Sequence, residues 1–284
     1  MEFKTANIPK EIMAAEAMAE KRAKEDINEQ DYIGEDGLLY CGDCNTPRQC
    51  RVILFGEERK PYCLCKCRAE RRDEEYRRIK LAERVAELRK NGFPEQKMLG
   101  WTFANDDGTN NKIIAAMKNY TDNFEKMREN GKGLLLFGTV GTGKTYAAAC
   151  VANALIDRGI PAHMTNFARI ANTVQGMFDG RQEYYDSFNR FPLLIIDDLS
   201  AERKTEYMQE IVFNVIDSRY RSGLPLIVTT NLTGEELKHP ADITNQRTFS
   251  RLLEMCIPLE VSGADRRRER LKEDFKEYKD ILGI

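Results

Sequence analysis

Gly138-Thr139-Val140-Gly141-Thr142-Gly143-Lys144-Thr145 decides the reading of this chain. These residues fit G-x-x-x-x-G-K-[ST] at each specified position, and the flanking sequence fits too. Leu134-Leu135-Leu136-Phe137 enters the loop as an apolar strand, and Tyr146 to Ala152 leaves it with helical character. Glycines at 138, 141 and 143, with Thr139, Val140 and Thr142 between them, let backbone N–H groups approach phosphate oxygens, while the following helix directs its positive end at the same point. Lys144 is expected to reach the β- and γ-phosphates of a nucleoside triphosphate, and the Thr145 hydroxyl to ligate Mg²⁺.

A second acidic site follows in Leu193-Leu194-Ile195-Ile196-Asp197-Asp198. Carboxylates at the end of a buried strand lie where parallel sheets place their ligands. Asp197 is the expected Mg²⁺ partner, and Asp198 the group that orients or deprotonates an attacking water. Strand candidates are Gly133 to Phe137, Pro161 to Thr165, Leu193 to Asp197, Leu226 to Thr230 and Ile257 to Val261. Segments of helical periodicity separate most of them, and continuous apolar runs mark strands buried on both faces. The expectation is an α/β fold with a five-stranded, mostly parallel sheet.

Composition bounds the rest. The chain has 284 residues, 42% of them hydrophobic, enough for one large domain and a smaller module. Its 44 basic against 46 acidic residues leave a net charge of -2, which argues against a generally basic nucleic-acid coat. No apolar run approaches the roughly 20 residues of a membrane-spanning helix, and the first 30 residues lack the apolar core of a secretion signal. A cytoplasmic protein without a membrane partner is expected.

Six of the eight cysteines fall between Cys41 and Cys67, a clustering that favours a metal over disulfides. Tetrahedral Zn²⁺ takes four thiolates, and Cys41, Cys44, Cys65 and Cys67 are the expected ligands, with Cys63 the main competitor. Pro9 to Gln30 reads as a helix with a thin apolar stripe, either solvated or an arm for a partner protein. Arg68 to Lys90 reads as a charged, mostly exposed helix, and Asn91-Gly92 with Phe93-Pro94 closes it. Residues 1–90 are therefore expected to form an amino-terminal helical and zinc-binding module, and residues 91–284 the nucleotide-binding core.

Asp197-Asp198, Thr229-Thr230-Asn231 and Gln246-Arg247-Thr248-Phe249-Ser250-Arg251-Leu252 resemble the ATPase core of the DnaC-type helicase loaders, within the AAA+ class of P-loop NTPases. The resemblance implies ATP hydrolysis, a homo-oligomer in the ATP state, single-stranded DNA, and a DnaB-type hexameric replicative helicase as partner, held by the amino-terminal module. It implies Asn231 as the sensor beside the γ-phosphate, although Asn231 also reads as a cap for the helix starting near Thr233. It implies Arg251 as the arginine finger offered to a neighbouring subunit, with Arg247 one turn earlier able to exchange roles, and Arg267, within Arg266-Arg267-Arg268, as the second sensor. An IstB-type transposition helper ATPase shares these motifs and is the alternative. Between Asn166 and Arg190, Phe167, Phe178, Tyr184, Tyr185 and Phe188 interleave with Arg169, Arg181 and Arg190, a pattern that suits stacking on single-stranded DNA or a helix burying its aromatics.

Overall fold

The computed structural model describes Met18, Lys21, Lys24 and residues 27–54, 56–199, 205–240 and 242–283. Most of the helix expected from Pro9 to Gln30 lies outside them. Contacts divide the chain into two units, residues 1–80 and 81–284. In the first, hairpins β1–β2 (Tyr32–Ile33, Leu39–Tyr40) and β3–β4 (Val52–Leu54, Glu57–Arg59) precede helix α1 (Lys66–Gly92). Few apolar side chains are buried there among the described residues: Leu38, Leu39, Cys41 and Cys65. The Arg48–Asp31 ion pair is fully enclosed beside them. A core this small needs another source of stability. The last turns of α1 belong to the second unit because Val85 and Leu88 pack on its core. The division thus falls inside α1, ahead of the Asn91-Gly92 break.

The second unit is a five-stranded all-parallel sheet. Its strands are β5 (Gly133–Phe137), β6 (Ala162–Asn166), β7 (Leu193–Leu199), β8 (Leu226–Thr230) and β9 (Cys256–Glu260), in the order β6-β7-β8-β5-β9. Three strands match or extend the expected spans. The other two shift by one residue: Pro161 has no N–H for the ladder, and Cys256 already pairs with Gly133. Pro258 is tolerated in β9 because that strand is an edge.

Side chains alternate across the sheet with the two-residue period of a strand. Leu134, Leu136, Leu193, Ile195 and Ile227 face one layer with α2 (Asn111–Asp122) and α4 (Lys144–Asp157). Leu135, Leu194, Ile196, Leu226 and Val228 face the other, with α5 (Phe167–Gln175), α7 (Glu206–Ser222) and α9 (Ile243–Met255). Ala147, Ala148, Ala149 and Ala152 are 2% exposed or less. Their small side chains bring α4 close to the sheet and so fix the helix end that carries Lys144 and Thr145. The short helices α3 (Phe124–Glu129), α6 (Arg181–Ser187) and α8 (Gly234–Lys238) and the longer α10 (Arg266–Leu282) complete the unit.

Candidate nucleotide-binding site

β5, β8 and β7 are neighbours, so the loop after β5, the end of β8 and the end of β7 meet at one edge of the sheet. The loop backbone follows from what packs behind it. Gly138 has φ +133°, and a Cβ there would lie 2.6 Å from the Val261 carbonyl oxygen. Gly141 has φ +81°, and a Cβ there would collide with the Asp265 carboxylate. Both positions exclude any other residue on conformation and on space. The Lys144 ammonium donates to the carbonyls of Gly138 (2.9 Å) and Thr139 (2.7 Å). Burial lowers its pKa, and the nearby Asp198 and Asp197 carboxylates oppose that shift.

Adjacent residues on a regular strand point to opposite faces. β7 breaks this rule where it matters, with a register shift between Ile196 and Leu199 and Asp198 in the left-handed region at φ +60°. Such a bulge re-aims side chains, and residues held there cluster at functional sites. Thr229 holds the bulge: its hydroxyl donates to Asp197 Oδ1 (2.6 Å) and accepts from the Asp198 N–H (2.8 Å). Burial raises the Asp197 pKa, while hydrogen bonds from Thr229 and Thr145 lower it. Thr145 and Asp197 thus place hard oxygen donors side by side, the donor set that Mg²⁺ takes. Asn231 Nδ2 donates to Asp198 Oδ1 (2.9 Å). The helix-cap alternative for Asn231 is overturned, because Thr233 caps α8 in a capping box with Glu236.

The three arginines opening α10 differ. Arg267 is exposed, and its charge is the weakest of the influences on Lys144 and Asp197, after burial and the neighbouring groups, lowering the pKa of each. Arg266 turns aside to pair with Asp107 and lies 5.8 Å from the Tyr146 ring centroid. Arg268 pairs with Asp265 at 3.4 Å. Arg251 is not gathered at this chain's own loop. It pairs with Asp217 on α7 (2.9 Å) and lies 4.7 Å from the Phe213 ring centroid. Arg247 is exposed and has no ion pair among the described residues.

In the first unit the sulfurs of Cys41, Cys44, Cys65 and Cys67 all lie within 4.8 Å of one another. Cys41 and Cys67 are 3.8 Å apart, and Cys65 and Cys67 3.4 Å apart. A tetrahedron with Zn–S bonds of about 2.3 Å has edges of roughly 3.8 Å, so the donor set fits zinc. The hydrogen bond that Cys67 donates to Cys65, with burial, pushes Cys67 up to about 12. Four thiolates coexist only with a cation among them. Cys63 is outside the group, with its Sγ 3.6 Å from the Pro47 carbonyl.

The aromatic segment divides. Phe167, Tyr185 and Phe188 are buried in the core, as the second of the two readings of this segment has it, so they form no row of stacking rings. Phe178 is fully exposed, and Arg169 and Arg181 lie on the surface. Sequence reasoning gave Thr229, Tyr146 and Asp107 no role of their own and named Arg266 only within its triplet. Thr229 carried a signal, since a hydroxyl in a fully buried apolar strand needs a partner; Asp107 carried none.

Phosphate loop, bulged acidic strand and sheet order define an ATP-binding AAA+ P-loop protein. Residues 66–273 match the IstB-like ATP binding protein family, and the chain belongs to it. It is similar to the replicative helicase loader DnaI of Bacillus subtilis, 26% identical over 275 residues that span 89% of this chain and 86% of that protein. Replicative helicase loader DnaC of Escherichia coli is 25% identical over 128 residues, 44% of this chain and 51% of that protein. An insertion sequence ATP-binding protein of Sinorhizobium fredii is 32% identical over 110 residues, 37% of this chain and 36% of that protein. Among solved structures, a crystal structure of DnaI superposes with a TM-score of 0.50 at 25% identity, covering 62% of this chain and 95% of that one.

Proposed function

We propose that the chain is an ATP-dependent loader that places a DnaB-type replicative helicase on single-stranded DNA. The carrying observation is the similarity to DnaI, which runs through 89% of the chain rather than the ATPase core alone. In this reading the glycine loop and Lys144 bind the triphosphate, and Thr145 and Asp197 hold Mg²⁺. Bound Mg²⁺ supplies charge neutralisation on the phosphates. Asp198, aimed by its bulge and held by Asn231, accepts a hydrogen bond from the attacking water and orients it. Arg267 stabilises charge on the nucleotide of its own subunit. Arg251, released from Asp217, serves a neighbour's nucleotide in a homo-oligomer, so that turnover depends on assembly.

Residues 1–90, with Zn²⁺ held by Cys41, Cys44, Cys65 and Cys67, form the helicase-binding module of this reading, and residues 91–284 the ATPase. Phe178 with Arg169 and Arg181 is the surviving candidate contact for single-stranded DNA. Co-purification with a replicative helicase, with and without residues 1–90, tests the division of labour. Full capture by the truncated core would refute it. Steady-state ATP turnover abolished by Lys144→Ala tests the enzyme.

The match to an insertion sequence ATP-binding protein favours a second reading, a transposition helper whose partner is a DNA-bound transposase. Binding to a transposase, with none to the helicase, would select it.

A further inference from the structure

Two straps tie the segment before α2 to the segment that opens α10. Arg266 Nη2 pairs with Asp107 Oδ2, and Asn110 Nδ2 donates to the Ser262 carbonyl at 3.4 Å. Asp107 is itself held, since its Oδ1 accepts from the Thr109 N–H (3.0 Å) and hydroxyl (2.6 Å). The Arg266 side chain is 24% exposed, with the Tyr146 ring 5.8 Å away, and its backbone N–H donates to the Gly141 carbonyl of the loop (3.1 Å). Tyr146 is anchored in turn by its hydroxyl, which donates to the Thr102 carbonyl (2.8 Å). Asp265 caps the helix, accepting from the Arg267 and Arg268 N–H groups at 3.1 and 3.3 Å.

Neighbouring residues of a helix are fixed relative to one another, so gripping Arg266 sets where Arg267 points. A rotation of roughly 20° moves a side chain at the helix surface by about 2 Å. Displacements of that size at a reacting centre are costly. We propose that Asp107 is a positioning residue for Arg267: by holding Arg266 against Tyr146 it fixes the rotation of α10, and so sets where Arg267 lies beside the phosphate loop against which Asp265 and the Arg266 N–H pack. This rests on the reading of the loop as the ATP site. Asp107 touches no nucleotide in this account; it acts through two adjacent arginines.

The test is a double-mutant cycle on the full chain. Affinity for a fluorescent ATP analogue with Mg²⁺ is measured alongside kcat and KM for Asp107→Ala, Arg267→Ala and the double variant. Asp107→Ala is expected to weaken analogue binding about threefold, the scale an exposed ion pair transmits. Asp107→Glu is expected to recover most of that loss. The double variant is expected to equal Arg267→Ala alone, because the residue that Asp107 positions is gone. Independent multiplication of the two losses would overturn the proposal, since a merely structural Asp107 acts whether or not Arg267 is present. Wild-type affinity in Asp107→Ala would overturn it as well. Should that variant fail to fold, the isosteric Asp107→Asn completes the cycle with the same expectations. Analogue binding undiminished in Lys144→Ala would instead sink the reading of the site, separately from the role of Asp107.

Discussion

Replacing Thr229 by valine keeps the shape of the side chain and deletes one hydroxyl on which the acidic strand depends. Thr229 is 2% exposed, so no water takes the hydroxyl's place. A hydrogen bond to a carboxylate contributes about 1.5–3 kcal/mol, and a buried N–H left unpaired costs about 1–3 kcal/mol. The extra methyl returns roughly 0.8 kcal/mol. The net expectation is a loss of about 2–5 kcal/mol, at least a thirtyfold or so increase in the unfolding constant. Burial already raises the Asp197 pKa, and removing a hydrogen bond that lowers it moves it further up. The sign follows from linkage: the protonated form becomes the favoured one in the folded state, so the deficit is largest at high pH, where Asp197 is charged, and narrows as pH falls. Urea unfolding at several pH values measures both effects, and Mg²⁺-dependent nucleotide affinity should lose its acid limb at a higher pH than in the wild type. Thr229→Ser keeps the hydroxyl and should retain most of the stability. A valine variant within 0.5 kcal/mol of wild type, on the order of a surface substitution, would refute the reasoning; so would a serine variant as damaged as the valine.

Three further outcomes follow from other parts of the chain. Cys67→Ser should release zinc and unfold residues 27–80 while Cys63→Ser retains one zinc per chain, checked by metal analysis and far-UV circular dichroism. Hydrogen bonds from Thr109, then the pairing with Arg266, hold Asp107 down to about 2 from an ordinary 3.8. Its contribution to stability should therefore be constant above the unfolded value and fade as pH drops from 3.8 toward 2; the wild-type minus Asp107→Asn difference in denaturation should close over that window. Arg219, 1% exposed, donates to the carbonyls of Phe191, Pro192 and Pro225 at 2.7–3.2 Å, so Arg219→Met should cost about 3 kcal/mol or more by leaving those acceptors unpaired, measured by chemical denaturation.

What was legible in the sequence had a local cause. The phosphate loop, the apolar strands and Asp197-Asp198 show themselves because each obeys a short-range rule: a glycine spacing, an apolar run, a carboxylate closing a strand. The burial of Phe167, Tyr185 and Phe188 was legible only as one of two alternatives, because an aromatic on a helix of mixed character is core or surface according to what packs on it, and α7 packs there. The expected set Cys41, Cys44, Cys65 and Cys67 is the one the fold gathers, and only the exclusion of Cys63 was a tertiary matter: Cys65 and Cys67 sit where α1 starts, and Cys63 turns toward Pro47. Asp107 lies far from Arg266 along the chain, in a segment whose Asp-Asp-Gly reads as a turn and nothing more.

The glycines of the loop answer to two constraints at once. On the inner side their backbone must stay open for phosphate oxygens. On the outer side Gly138 and Gly141 leave room for the Val261 carbonyl and the Asp265 carboxylate. The segment that braces the loop is the one that starts α10, and the Gly141 carbonyl accepts from the first N–H of that helix. A change in loop conformation on one side is therefore a change in the seat of Arg267 on the other. Gly141→Ala should consequently weaken nucleotide binding twice, through a strained loop and through a displaced arginine. The second loss separates from the first, because it should vanish when Arg267 is already alanine.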